Sequence, residues 1–169
     1  MVKMVIVGGV RNSSDAMRKE EIRKFVAEKG LDALVDLPDD VSYSQKVHLL
    51  KKAAIGIHTM RNEHFGISVV EFMAAGAVPI AHRSAGPLED IVVPAYPLSD
   101  LKAIPTQPSD DRFACGLLAE TADEYADSIY ALITRLLFAL KHYINSILSL
   151  FLLSINIHLL IFPPILLLL

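Results

Sequence analysis

The sequence predicts an α/β domain in which a parallel sheet is covered by helices on both faces. Three observations predict this class. Short β-like runs alternate with amphipathic helical segments through residues 1–135, which is the sequence pattern of such a sheet. Serine and threonine caps open the helical segments, and glycines close two of them. Residues 55–81 contain a strand, a loop, a helix and a strand in succession, which is one crossover unit.

The first strand and helix occupy residues 4–30. Met4–Val7 is an apolar run that Gly8-Gly9 ends, as expected of a buried strand. Either hydroxyl of Ser13-Ser14 can cap a helix that runs through Lys29, and Gly30 suits the left-handed position after it. Apolar residues at helical spacing predict the inward face of this helix: Met17, Ile22, Phe25 and Val26.

A second strand and a second helix follow. The β-like run Ala33–Leu37 ends before Pro38. Ser42 and Gln45 have the spacing of a capping box, so a helix is predicted from there to about Ala53. Its apolar residues Val47, Leu50 and Ala54 are predicted to face inward, and its lysines Lys46, Lys51 and Lys52 outward.

The crossover unit and the last elements of the domain come next. The unit consists of strand Ile55–Met60, polar loop Arg61–Gly66, helix Ile67–Ala75 closed by Gly76, and strand Val78–Ala81. Gly86-Pro87 marks a turn, and the prolines of residues 94–109 predict an irregular surface loop. Gly116–Ala119 is a short strand. Thr121 then opens a capped helix whose apolar face contains Tyr125, Ile129 and Leu132.

Residues 136–169 differ from the rest of the chain, because they contain one charged side chain, Lys141, and 13 leucines. The uncharged span Tyr143–Leu169 is long enough to cross a bilayer, and Arg135 and Lys141 on its N-terminal side would keep the domain cytosolic. Pro163-Pro164 and the low-complexity composition favour an aberrant C-terminus over a membrane helix. Either origin predicts a domain of residues 1–135 and an apolar tail outside its core, which drives membrane association or aggregation.

Charge and cysteine content exclude other classes. Sixteen Lys and Arg against 19 Asp and Glu give a net charge of −3, which offers no electrostatic case for a nucleic-acid partner. The single cysteine, Cys115, cannot form an intramolecular disulfide, so a cytosolic compartment is expected. No signal-peptide pattern opens the sequence.

The loop and helix around Glu63 and Glu71 carry the chemistry. These carboxylates flank a glycine-bearing turn from strand to helix, where ligands bind in open α/β sheets. The amides of Gly66, Ile67 and Ser68 can bind a phosphate at the helix N-terminus. Glu63 can accept hydrogen bonds from sugar hydroxyls, and Glu71 from a vicinal diol such as ribose. Together they predict a nucleotide-sugar site.

Structural interpretations of the same residues remain open on spacing alone. Ser68 and Glu71 also have capping-box spacing, and Glu63 fits a solvated loop carboxylate equally well. His58 and His64 are more typical of structural or orienting groups than of a general base. No carboxylate spacing here indicates a set of metal ligands.

Residues 63–82 resemble the Glu-x7-Glu signature of retaining GT-B glycosyltransferases, in glycosyltransferase family 4. The run from Glu63-His64-Phe65-Gly66 through Met73-Ala74-Ala75-Gly76, followed by Ser84-Ala85-Gly86-Pro87, resembles the α-1,2-mannosyltransferases that extend the dolichol-linked oligosaccharide at the cytosolic face of the endoplasmic reticulum membrane. Residues 7–12 and 116–119 fit the same family. The resemblance covers about residues 3–135.

The resemblance implies the Rossmann-like, C-terminal donor-binding half of a GT-B enzyme. Its donor would be GDP-mannose, used in N-glycan precursor synthesis without a metal or other cofactor. Glu63 would be the catalytic carboxylate at the mannose hydroxyls, and Glu71 would bind the ribose. The backbone of Phe65, Gly66, Ile67 and Ser68 would bind the diphosphate and sugar, and Gly86 would border the same pocket.

Two features of the family have no recognisable counterpart in this sequence. One is the first domain, which holds the acceptor. The other is a basic pair upstream of the strand at Met4–Val7, whose role is not transferred to Arg11. We therefore expect the chain alone to be inactive. The alternative function is a nucleotide-binding or partner-binding module without transferase activity.

Overall fold

The structure is a computed structural model that describes residues 2–92, residues 116–135 and the backbone of residues 165–168. The predicted proline-rich loop at residues 94–109, Cys115 and residues 136–164 lie outside the described residues. Among the described residues, no helix has the length and apolar character needed to span a membrane.

One parallel sheet of six strands organises the described residues, in the spatial order β2-β1-β6-β3-β4-β5. The strands are β1 Lys3–Ile6, β2 Val35–Asp36, β3 Ala53–His58, β4 Val78–His82, β5 Leu117–Ala119 and β6 Ile165–Leu168. The predicted fold class is confirmed. Several strand bounds needed correction. The first strand is Lys3–Ile6 rather than Met4–Val7, the second is Val35–Asp36 rather than Ala33–Leu37, and the third is Ala53–His58 rather than Ile55–Met60.

Within residues 2–92 and 116–135, the structure has four α-helices and a π-helical turn. They are α1 Ser13–Glu28, α2 Tyr43–Lys52, α3 Ile67–Ala74, the π-helical turn Pro87–Ile91, and α4 over residues 122–135. The capping box of α2 is confirmed, with Ser42 and Gln45 each bonding the other's backbone. Gly30 has the expected left-handed φ of 64° after α1.

Two details of the α1 prediction were wrong. The N-cap is Asn12, whose side chain accepts a hydrogen bond from the amide of Asp15, so both serines lie inside the helix. Asparagine caps as well as serine does, and capping residues in succession leave the start ambiguous. Val26 is buried, but Met17 is 64% exposed and Phe25 is 55% exposed. This helix therefore buries a narrower face than its apolar spacing predicts.

The core lies on both faces of the sheet. One cluster packs α4 against the sheet and contains Ile55, Ile57, Ile80, Leu117, Ala119 and Leu132. On the α3 side, the fully buried Phe72 packs with Val5, Leu50, Ala53 and Ala77. A Cβ atom at Gly56 would lie 2.1 Å from Cγ of Phe72, so glycine in β3 permits the close approach of α3. Both contacts fix the carboxyl end of β3, from which the candidate site begins.

Residues 165–168 form β6, which lies between β1 and β3. Each of these residues pairs in parallel register with a residue of β1, and the strand also pairs with β3 from Ala53 to Ile57. These four residues therefore differ from the expectation that the whole tail lies outside the sheet. A parallel strand that is covered on both faces typically has a continuous apolar sequence. A membrane segment has the same sequence pattern. That residues 136–164 lie outside the core of a domain of residues 1–135 stays a prediction.

Candidate functional site

The carboxyl ends of β3 and β4 lead into two loops that pack against each other. The Glu63 loop comprises residues 59–66, and the Ser84 loop comprises residues 83–86. The Gly86 amide donates to the Glu63 carbonyl oxygen at 3.0 Å, and the Asn62 amide donates to Ser84 Oγ at 2.9 Å. A Cβ atom at Gly86 would lie 2.4 Å from the carbonyl oxygen of His64. Glycine is thus required for this close approach.

The N-terminus of α3 is open to a ligand. Gly66 is the N-cap, has a left-handed φ of 95° and provides no side-chain cap. Among the described residues, no hydrogen bond uses the amides of Ile67 and Ser68, whose positive dipole ends suit an anion. Ser68 lies inside the helix, so Ser68 and Glu71 do not form a capping box. The side chains of Phe65 and Ile67 are exposed.

Glu71 forms an ion pair that the sequence did not predict. Nζ of Lys46, on α2, lies 2.8 Å from Oε1 and 2.7 Å from Oε2 of Glu71. Each side chain is 29% exposed, so the pair is partly shielded from solvent. The prediction that Lys46 faces outward was wrong, because α2 and α3 pack close enough for this lysine to reach α3.

Glu63 lies beside a buried histidine. Its Oε2 atom is 4.0 Å from Nε2 of His58, the last residue of β3. Burial lowers the pKa of His58 below its usual value, the Glu63 carboxylate opposes this shift, and the nearby His82 adds to it. Burial also raises the pKa of Tyr125 to about 12, so its hydroxyl keeps its proton and donates to the His58 carbonyl oxygen at 2.9 Å.

Arg11, to which no phosphate role was transferred, forms an ion pair at the start of α1. Arg11 pairs with Asp15 at 3.2 Å in the first turn of α1, and its side chain is 84% exposed. Among the described residues, no group of three or more His, Cys, Asp or Glu side chains is arranged to bind a metal ion. A cavity of about 320 Å³ adjoins α2, and Asp36, Asp40, Gln45 and His48 are among its lining residues.

Comparison with known protein families identifies the family of this chain. The family model described as "Glycosyl transferases group 1" matches residues 1–128. The chain belongs to the group 1 glycosyltransferase family. The resemblance to GT-B glycosyltransferases is thereby confirmed for the N-terminal part of the chain.

Two curated relatives of this group 1 glycosyltransferase have the same name. The chain is 42% identical over 131 residues to the GDP-Man:Man(3)GlcNAc(2)-PP-Dol alpha-1,2-mannosyltransferase of Dictyostelium discoideum, a match that covers 78% of this chain and 22% of the relative. It is 38% identical over 128 residues to the human protein of the same name, covering 76% and 23%. The chain thus spans less than a quarter of the length of these relatives.

A solved structure supports the fold of this group 1 glycosyltransferase. It is the C-terminal domain of a glycosyl transferase group 1 family protein (LpcC) from Francisella tularensis. The TM-score is 0.57 at 18% sequence identity, over 79% of this chain and 75% of that one. The likeness extends to the arrangement of strands and helices.

The two loops and α3 bring most of the predicted site residues of this group 1 glycosyltransferase to one edge of the sheet. Glu63 and Gly86 share a hydrogen bond, and Gly66 begins α3 directly after the Glu63 loop. Glu71 lies further along α3, where it contacts Lys46 of α2. Sequence reasoning included Ser84 in the run that borders the pocket, but it missed Lys46 and gave His82 no role. The position of His82 at the end of a predicted strand was the signal that could have identified it.

Proposed function

We propose that this chain is the donor-binding part of a retaining α-1,2-mannosyltransferase that transfers mannose from GDP-mannose to a dolichol-linked oligosaccharide. The observation that carries the proposal is the open N-terminus of α3, which Glu63 precedes and Glu71 follows by one turn. The names of the curated relatives support the donor, the acceptor and the linkage. The proposal includes a site of action at the cytosolic face of the endoplasmic reticulum membrane, which the sequence resemblance implies.

Each end of the donor corresponds to a part of the site. The diphosphate binds at the backbone of Phe65, Gly66, Ile67 and Ser68, where helix amides stabilise negative charge on the leaving group in a metal-independent reaction. Glu63 is the catalytic carboxylate, placed to accept hydrogen bonds from the mannose hydroxyls. Gly86 borders this pocket through its contact with the Glu63 carbonyl.

The nucleoside end lies toward α2. Glu71 accepts hydrogen bonds from the ribose hydroxyls while Lys46 fixes the orientation of its carboxylate. The neighbouring residues of Lys46 on α2, Ser44, Gln45 and His48, line the cavity of about 320 Å³. This cavity accommodates the base, and Asp36 and Asp40, which are among its lining residues, can accept hydrogen bonds from the donor groups of guanine.

Substitution of Glu71 tests the nucleotide site directly. We expect Glu71→Ala to weaken GDP binding by at least about tenfold, because hydrogen bonds to a charged group contribute about 1.5–3 kcal/mol. Isothermal titration calorimetry of the full chain with GDP measures this change. Glu21→Ala, on the exposed side of α1, is the matched control and should bind GDP as the wild type does. No binding at millimolar GDP, or equal binding by Glu71→Ala, would contradict the assignment.

A second function is a module that binds a nucleotide or a partner without transferring sugar. In the GT-B arrangement, transfer occurs in a cleft between two domains, and positioning of both substrates provides up to roughly 7–11 kcal/mol of barrier lowering.

The two functions predict different activities for the domain and for a complete enzyme. We expect the purified 169-residue chain to transfer no mannose to a dolichol-linked acceptor, measured with radiolabelled GDP-mannose in a preparation free of full-length enzyme. Turnover by this chain would contradict the prediction. Activity that appears when an acceptor domain is supplied in trans would favour the transferase, and persistent inactivity with intact GDP binding would favour the module.

A further inference from the structure

Two buried histidines end the strands that lead into the Glu63 loop and the Ser84 loop. His58 ends β3 and His82 ends β4, and their exposed fractions are only 5% and 6%. Neither side chain has a role in the nucleotide site described above. Nδ1 of His58 and Nε2 of His82 have no hydrogen-bond partner among the described residues. Burying a polar atom without a partner costs free energy. We therefore expect the other ring nitrogen of each histidine, Nε2 of His58 and Nδ1 of His82, to form a compensating contact.

His82 connects to the Glu63 loop through Ser84. Its Nδ1 atom lies 2.9 Å from Ser84 Oγ, and the same oxygen accepts the hydrogen bond from the Asn62 amide at 2.9 Å. Asn62 has a left-handed φ of 53°, and Ala85 in the facing loop has a φ of 45°. Backbone of this kind persists where surrounding contacts hold it in place. The hydroxyl of Ser84 thus fixes the residue directly before Glu63.

His58 connects to the same loop through the Glu63 carboxylate. The 4.0 Å between His58 Nε2 and Glu63 Oε2 exceeds a hydrogen bond, so a shift of about 1 Å on ligand binding would form one. The carbonyl of His58 is held by Tyr125 on α4, and the carbonyl of Glu63 is held by Gly86. The backbone at both ends of the contact is therefore held, at His58 by α4 and at Glu63 by the Ser84 loop.

We propose that His58 and His82 are positioning residues that hold the Glu63 loop in the geometry that binds the donor sugar. The inference rests on the proposed function, because it assigns the mannose hydroxyls to Glu63. It goes beyond that function by naming two sets of contacts from the buried histidines, His82 to Ser84 to Asn62 and His58 to Glu63, as the determinant of sugar recognition. These contacts leave Glu71 and Lys46 untouched, so sugar and nucleotide recognition should be separable.

The first test compares GDP-mannose with GDP as ligands of the full chain. We expect His82→Ala, His58→Ala and Ser84→Ala each to weaken GDP-mannose binding by about tenfold while GDP binding changes by less than about twofold. Ser84→Thr keeps the hydroxyl and should keep the preference for GDP-mannose. Ser128→Ala removes another buried polar group, on α4, and is the matched control for a purely structural loss.

The second test needs no ligand. His82→Ala leaves both the Asn62 amide and the Ser84 hydroxyl in place, so faster hydrogen exchange at Asn62 requires that His82 positions Ser84. We expect exchange at the Asn62 and Gly86 amides to rise by about tenfold in His82→Ala and Ser84→Ala, measured by NMR. Unchanged exchange in both variants would overturn the inference.

The binding outcomes separate the inference from the proposed function. If the wild-type chain binds GDP-mannose more tightly than GDP and the variants keep that preference, only the positioning role is overturned. If the variants lose both ligands equally with a matching fall in melting temperature, the histidines are structural and the inference is again overturned. A wild-type chain that binds neither ligand overturns the proposed function, and this inference with it.

Discussion

A chain that ends at residue 164 should lose its cooperative fold. β6 lies between β1 and β3 and pairs with both, so its removal leaves two strand edges of a covered sheet without partners. Each net hydrogen bond contributes about 1 kcal/mol, and the several that β6 forms approach the total stability of a domain, about 5–15 kcal/mol. Thermal unfolding followed by circular dichroism measures the loss as a flattened or absent transition.

A proline substitution separates the backbone role of β6 from its composition. Leu167 pairs in register with Val5 of β1 and Gly56 of β3. Leu167→Pro removes an amide from the strand and should lower the melting temperature sharply, because proline cannot donate a hydrogen bond to either of the neighbouring strands. Leu167→Val keeps the amide and should change stability by about 1 kcal/mol or less. A chain ending at Arg135 that unfolds like the full chain would contradict this role and support an independent domain of residues 1–135.

Strand and helix periodicity predicted most of the fold but could not place β6. Capping signals at Ser42 and Gly30 and the apolar run at Ile55 have local physical causes, and each element was found within a few residues of its predicted position. Residues 165–168 carry no local signal, since an apolar run of leucines suits a covered strand and a membrane segment equally. Their position depends on a space between β1 and β3 that only the folded sheet defines.

The site was predictable where it lies in one stretch of chain. Glu63, Gly66 and Glu71 have a spacing that a turn and one helix convert directly into geometry. Lys46 and Ser84 join the site through contacts between separate elements, the first across α2 and α3 and the second across two loops. Helical periodicity describes one helix at a time, so it placed Lys46 in solvent.

The contact between the two loops makes Gly86→Ala the substitution with the largest expected effect on donor binding. The new Cβ atom would lie 2.4 Å from the His64 carbonyl oxygen and 2.8 Å from that of Phe65, both of them backbone atoms that no side-chain rotation can move. The loops must therefore separate, at a cost of about 1–3 kcal/mol in stability. The hydrogen bond from the Gly86 amide to Glu63 would be lost with them.

Separation of the loops displaces Glu63 and the start of α3 together, so Gly86→Ala should weaken GDP-mannose binding by about a hundredfold or more. The stability cost should lower the melting temperature by about 2–12 °C. Calorimetry and thermal unfolding of the same preparations measure both quantities. Gly8→Ala is the matched control, because it changes a glycine at the carboxyl end of β1 whose added Cβ atom would meet nothing within 4 Å. If the two variants bound GDP-mannose equally well, the Glu63 and Ser84 loops could not act as one unit in donor binding. A Gly86→Ala chain that still binds GDP but not GDP-mannose would place the damage at Glu63, while loss of both ligands would extend it to the amides of Ile67 and Ser68.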